Sequence, residues 1–95
     1  MKEININGKI FNCYAIETTN VSLLVIRANN GAMLACGYVS QDVANKFNDV
    51  LATVTGVKTF DDMLEKEVCA VSNAAEKLGA KVGMTGKEFL LMISE

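Results

Sequence analysis

Hydrophobic positions in the first forty residues follow the pattern of short β-strands separated by glycine turns. Asn7-Gly8 and Asn30-Gly31 each follow an apolar segment, and Asn-Gly readily takes the positive φ angles of a type I′ hairpin turn. Further apolar segments lie at 9–17, 21–28 and 32–39. The pattern predicts an N-terminal antiparallel meander of up to four strands.

These predicted strands do not alternate cleanly between apolar and polar residues. In the segments 22–27 (SLLVIR) and 32–36 (AMLAC), both sets of alternate positions are largely apolar. An antiparallel sheet in a small monomer commonly keeps one polar face toward solvent. We expect helices of the same chain to cover one face and a second copy to cover the other, which predicts a homo-oligomer formed through residues 1–39. The alternative is that short helices cover both faces.

Residues 40–95 alternate between helix and strand signals. The segments 50–55 and 67–71 are typical of strands, and Glu88 follows Thr85 at the spacing of a helix-capping box. Side chains that can cap a helix predict four helix starts, at Ser40, Thr59, Ser72 and Thr85. The predicted fold is a two-layer α+β domain of residues 1–95, in which short alternating helices and strands follow the meander.

Composition narrows the class of protein and its partners. A hydrophobic fraction of 51% with 21% charged residues is typical of a globular chain and not of a disordered one. The net charge of -2 favours neither nucleic acid nor an anionic membrane as a partner. No apolar run approaches the roughly 20 residues of a membrane span, and no secretory signal is evident, so we expect a cytoplasmic protein.

Candidate chemistry is sparse. The chain has no histidine, which removes the commonest general base and metal ligand. The cysteines, Cys13, Cys36 and Cys69, lie more than twenty residues apart, so neither a metal site nor a disulfide framework is predicted. We therefore expect no cofactor and assign no catalytic residue.

Two places remain as candidate ligand-binding sites. Cys36, with Gly37 and Tyr38, lies at a predicted strand end just before a helix, whose N-terminus can stabilise a thiolate. An inert, buried cysteine is the favoured alternative. Thr85 and Gly86 begin a helix whose N–H groups could bind an anion, and an ordinary capped helix is the favoured alternative there.

Two stretches of the sequence, SLLVIRANNGAMLACGYVS and GVKTFDDMLEKEVCAVSNAAEKLGAKVGMTGKEFLLMI, resemble the YunC-like family of small bacterial and archaeal proteins, a domain of unknown function. The resemblance runs from about residue 7 to the end. It rests on the Cys36-Gly37-Tyr38 triplet, the GVKT turn at 56–59 and the GMTG turn at 83–86. It implies an α+β fold whose N-terminal β region mediates tetramer formation, and it implies no activity.

The sequence thus predicts a homo-oligomeric module that binds a small ligand or a protein partner. The alternative, from another class, is a thiol-dependent enzyme or redox-responsive protein that uses Cys36. A purely structural subunit of a larger complex is a third possibility.

Overall fold

Six strands form one sheet in which neighbours in sequence are neighbours in space. The computed structural model describes residues 2–20 and 22–93, so Val21, predicted to start a strand, lies outside the described residues. The strands are β1 (Lys2–Ile6), β2 (Lys9–Glu17), β3 (Ser22–Arg27), β4 (Met33–Ala35), β5 (Leu51–Thr53) and β6 (Ala70–Val71). The helices are α1 (Gln41–Lys46), α2 (Phe60–Glu65), α3 (Asn73–Lys77) and α4 (Gly86–Ile93). The predicted α+β class is confirmed.

The meander of β1 to β4 is antiparallel throughout, as predicted. β5 then runs parallel to β4, and β6 runs antiparallel to β5. A crossover that contains α1 is needed between β4 and β5, because parallel strands cannot be joined by a tight turn. Because β4 and β5 are parallel, their carboxyl ends lie side by side, and the loops that follow them are neighbours.

The first hairpin turn forms as the sequence predicts. Ile6 pairs with Lys9 across the turn, and the two residues between them have positive φ angles, 53° at Asn7 and 84° at Gly8. Positive φ at both central positions is the requirement of a type I′ turn. The prediction at Asn7-Gly8 is confirmed.

The second hairpin is confirmed, but the type I′ turn predicted at Asn30-Gly31 is wrong. The Ala28 N–H donates to the Ala32 carbonyl at 2.8 Å, and the Gly31 N–H donates to the Ala28 carbonyl at 3.0 Å. Pairing of Ala28 with Ala32 leaves three residues in the loop, of which only Gly31 has a positive φ, 94°. A three-residue loop with glycine in the left-handed region is the next common hairpin connection.

All four predicted helix starts are confirmed, each with its capping hydrogen bond. In three of them a hydroxyl oxygen accepts a hydrogen bond from the backbone N–H three residues later. The Ser40 oxygen accepts from Val43 at 3.3 Å, the Thr59 oxygen from Asp62 at 3.1 Å and the Ser72 oxygen from Ala75 at 3.2 Å. Thr85 and Glu88 form the fourth. No helix among the described residues is long and apolar enough to cross a membrane.

The main core lies between one face of the sheet and the helices α2, α3 and α4. Met63, Ala75, Phe89, Leu90 and Ile93 of the helices join the cluster that contains Phe11, Ile26, Leu34 and Ala52 of the strands. On the opposite face, Ala44 of α1 packs with Ala35 of β4 and Leu51 of β5. Helical cover of this second face is therefore confined to its β4 and β5 end.

The part of the second face that lies beyond α1 is apolar, with exposed side chains on β2 and half-buried side chains on β3, where Val25 packs beside the α1 cluster. Tyr14 of β2 pairs with Val25 of β3, and Ile16 pairs with Leu23. Directly paired residues project from the same face of a sheet, so these four side chains form one patch, which we call the open face. Ile16 is 60% exposed and Tyr14 36%.

Candidate functional site

The most apolar cleft described lies where β4 and β5 end. The loop that follows β4 and the loop that follows β5 lie side by side there, because the two strands are parallel neighbours. Between them is a cleft of about 340 Å³. We call it the cysteine cleft, and it is lined by Ser22, Cys36, Gly37, Tyr38, Thr55, Gly56 and Val57.

Cys36 is held in the wall of this cleft by the neighbouring strand. Its side chain is 6% exposed, and its sulfur accepts a hydrogen bond from the Leu24 N–H at 3.3 Å. The Cys36 N–H in turn donates to the Leu24 carbonyl at 3.0 Å. The thiol is therefore hydrogen-bonded within the β3–β4 pairing. Because Cys36 also lines the cleft, a bound molecule could contact it there.

Gly37 and Tyr38 form the outer part of the same wall. A Cβ atom on Gly37 would lie 3.4 Å from Thr55 Cγ2, an ordinary contact, so the loop does not exclude a small side chain at this position. Tyr38 is 55% exposed, and its hydroxyl lies 3.4 Å from the Thr18 hydroxyl. Through Tyr38 the cleft reaches the turn between β2 and β3, at the end of the open face.

Thr85 and Gly86 do not line the cysteine cleft. The Thr85 N–H donates to the Glu88 carboxylate at 2.9 Å, and the Glu88 N–H donates to the Thr85 hydroxyl at 3.1 Å. The Gly86 N–H donates to the Lys66 carbonyl at 3.0 Å. These backbone donors are thus paired within the chain, and an anion site at Thr85 and Gly86 stays a prediction without support from the geometry.

The electrostatics of the capping box follow from these bonds. The Thr85 N–H and hydroxyl lower the pKa of the Glu88 carboxyl, because both stabilise its charged form. The negative charge of Glu88 also interacts favourably with the partial positive charge of the α4 N-terminus. The capping box therefore stabilises the start of α4.

The structure brings together three of the five predicted site residues, Cys36, Gly37 and Tyr38. Sequence reasoning missed Ser22, Thr55, Gly56 and Val57 in the cleft. The last three were missed because the parallel pairing of β4 with β5 was not predicted, whereas Ser22 lies on β3, which was predicted beside β4. Recognition of that pairing would have placed the residues after both strands at one edge.

Other candidate groups are dispersed. Cys13 is buried in the core, where desolvation raises its thiol pKa against the opposing charge of Lys2, and Cys69 is exposed. Within residues 2–20 and 22–93, no three or more Cys, Asp or Glu side chains lie close enough together to hold a metal ion. The cysteine cleft remains the strongest candidate site.

The fold and site define a class, a small α+β protein with one sheet face only partly covered by a helix and an uncharged cleft at the end of a parallel strand pair. A family model described as a domain of unknown function, DUF1805, matches residues 35–93. The uncharacterized protein YunC of Bacillus subtilis (strain 168) is 33% identical over 92 residues, which cover 93% of this chain and 90% of YunC. The chain belongs to the DUF1805 family, and the resemblance to YunC is confirmed.

A solved structure is similar throughout the fold. The crystal structure of a protein of unknown function from Thermoplasma acidophilum has a TM-score of 0.87 to this chain at 33% sequence identity. The similarity covers 92% of this chain and 84% of that protein. The family match at 35–93 includes both loops of the cysteine cleft, whereas the open face lies outside it.

Proposed function

We propose that the protein is a cytoplasmic homo-oligomeric module, in which copies associate through the open face and the cysteine cleft binds a small ligand. The observation that carries this proposal is the open face itself. Four apolar side chains lie together on β2 and β3; Ile16 is 60% and Tyr14 36% exposed, and Leu23 and Val25 are half-buried. Contiguous exposed apolar patches typically mark interaction sites.

A second copy of the chain is the partner that this face fits best. A patch on two antiparallel strands can meet an identical patch across a two-fold axis, and self-complementary contacts of this kind are the commonest in homo-oligomers. The resemblance to the family implies a tetramer. A closed tetramer needs a second contact, and β1 offers one, since it lies at the sheet edge with unpaired backbone groups on its outer side.

The ligand part of the proposal rests on the form of the cysteine cleft. Its volume of about 340 Å³ lies within the usual range of small-molecule pockets, about 300–1,000 Å³. Three hydroxyl-bearing residues, Ser22, Tyr38 and Thr55, line it together with apolar ones. The second candidate function is a thiol-dependent or redox-responsive protein, favoured by the position of Cys36 in this cleft.

The decisive experiment for self-association is a measurement of mass in solution with matched variants. Wild type, Ile16→Lys and Val82→Lys would be compared by light scattering and native mass spectrometry at micromolar concentration. Val82 is the control, because it is 63% exposed and lies outside the open face. We expect wild type and Val82→Lys to form the same oligomer and Ile16→Lys to form a smaller species. A monomeric wild-type chain would overturn the proposal.

A further inference from the structure

A second cavity adjoins the cysteine cleft. Its volume is about 420 Å³, and it lies between the strands β1 to β3 and the start of α2. Ser22 lines both cavities, and one continuous segment supplies walls to each, with loop residues 55–57 at the cysteine cleft and residues 58–61, which include the start of α2, at the second cavity. We call the second cavity the lysine cavity, because Lys2 and Lys58 both line it.

The lysine cavity forms where the helical layer stops short of the sheet. Ala15 and Leu24 are paired and belong to the helix-covered face, yet Ala15 is exposed and lines the cavity. Phe60, the first residue of α2, forms the opposite wall. The space is thus a gap in the core face, with apolar walls and charged groups at its rim.

The two cavities differ in charge. The residues that line the cysteine cleft carry no charged side chain. The lysine cavity has two lysines and one carboxylate, that of Asp61, so its rim carries a net positive charge at neutral pH. A ligand that spans both would place an uncharged body at one end and a charged group at the other.

We propose that the adjoining cavities bind a small anionic amphiphile, whose apolar body occupies the cysteine cleft and whose anionic group lies beside Lys2 and Lys58. This inference rests on the proposed ligand-binding function and names its ligand class. Charge complementarity selects an anion, and the apolar walls of both cavities select a hydrocarbon body. The carboxylate of Asp61 would repel the anionic group, so its removal should strengthen binding, whereas removal of a lysine should weaken it.

The experiment measures binding of three eight-carbon probes to the intact oligomer by titration calorimetry. The probes are octanoate, octanol and octylammonium, which share a hydrocarbon body and differ in charge. We expect octanoate to bind most tightly. Failure of octanoate to bind wild type, or tighter binding of octylammonium, would overturn the proposal.

Charge variants test the placement of the anionic group. Because exposed charge pairs are worth little, we expect Lys58→Gln to weaken octanoate binding about two- to fivefold, and the double variant Lys2→Gln and Lys58→Gln to weaken it up to about tenfold. Asp61→Asn should strengthen it about two- to fivefold. Lys81→Gln, a substitution of an exposed lysine outside both cavities, is the control. Equal effects on octanol, or effects of the same sign at Lys58 and Asp61, would contradict the placement.

The position of the apolar body is tested at Gly37. Gly37→Leu would extend a side chain from the wall of the cysteine cleft, and we expect it to reduce binding of octanoate and octanol alike, with unchanged circular dichroism. Unchanged binding of both would place the body elsewhere. Light scattering on the same samples distinguishes failure of the oligomer proposal from failure of the ligand proposal. An oligomer that stays intact but does not bind octanoate would overturn only the ligand class.

Discussion

Gly86 at the start of α4 lies directly against the carbonyl oxygen of Met63 in α2. A Cβ atom on Gly86 would overlap that oxygen and would lie 2.7 Å from Leu34 Cδ2 in the sheet. The absence of a side chain therefore lets the two helices and β4 meet at one point. Gly86, one of the two residues of the predicted anion site, thus permits close approach of a neighbouring helix.

The first prediction follows from this contact. Gly86→Ala should lower the free energy of unfolding by at least about 2 kcal/mol, because the added methyl group forces apart a backbone and a packed core. Gly37→Ala is the matched control, since its Cβ would make only a 3.4 Å contact with Thr55, and we expect it to stay within about 0.5 kcal/mol of wild type. Urea denaturation measures both. Equal stability of the two variants would show that α2 and α4 can separate without cost.

The second prediction concerns Ser72, whose fully buried hydroxyl joins the start of α3 to the segment 49–51. It accepts from the N–H groups of Leu51 at 3.0 Å and Ala75 at 3.2 Å, and it donates to the Asp49 carbonyl at 2.7 Å. Ser72→Ala removes a helix cap and leaves the buried Leu51 N–H without its acceptor. We expect a loss of roughly 2–4 kcal/mol of stability.

The control for Ser72 is Ser40, which caps α1 at an exposed position. Ser40→Ala removes a cap of the same chemistry where water can replace the hydroxyl, so we expect a loss of about 0.5–1 kcal/mol. Thermal denaturation of the two variants gives the comparison. A loss at Ser72 no larger than that at Ser40 would mean that the two additional hydrogen bonds contribute little.

The third prediction is a pH dependence at Glu88. Its pKa is lowered in the folded protein by hydrogen bonds from Thr85, so its charge stabilises the fold above the carboxyl's ordinary pKa. That stabilisation is lost as the pH falls through the lowered value. Glu88→Gln keeps a hydrogen-bond acceptor without the charge, so it should be less stable than wild type at neutral pH. The difference between them should shrink as the pH falls. A difference in unfolding free energy that stays constant with pH would contradict this.

The local elements of the fold were predictable because their causes are local. A cap such as Thr59 is recognised from residues three positions apart, and the Asn7-Gly8 turn from two adjacent residues. The turn type predicted at Asn30-Gly31 was wrong although the dipeptide is the same, because the pairing of Ala28 with Ala32 leaves three residues in the loop instead of two. Turn type there depends on a partner strand and not on the dipeptide.

The candidate site was predictable only in part because it is assembled from distant segments. Cys36 could be identified from its place at a strand end. The neighbouring loop at 55–57 reaches it only through the parallel pairing of β4 with β5, which no short sequence pattern shows. A sheet face that the chain's own helices leave uncovered was predicted from apolar residues at both sets of alternate positions, whereas the cover that α1 gives to the β4 and β5 end of that face was not.

The last prediction ranks the reactivity of the three cysteines and separates the binding module from the thiol-dependent alternative. Thiol reactivity requires access and thiolate. Cys69 is exposed, whereas Cys13 and Cys36 are buried, and burial also raises the pKa of the Cys13 thiol. With iodoacetamide at neutral pH, peptide mass spectrometry should show Cys69 alkylated first, with Cys13 and Cys36 following slowly. Cys69→Ser should then leave a chain that labels slowly.

If Cys36 instead reacts fastest, and Cys36→Ser abolishes that rapid phase, the cleft activates its thiol and the thiol-dependent function is the better explanation. Octanoate connects this measurement to the ligand proposal, because an occupant of the cysteine cleft should slow labelling of Cys36 and leave Cys69 unaffected.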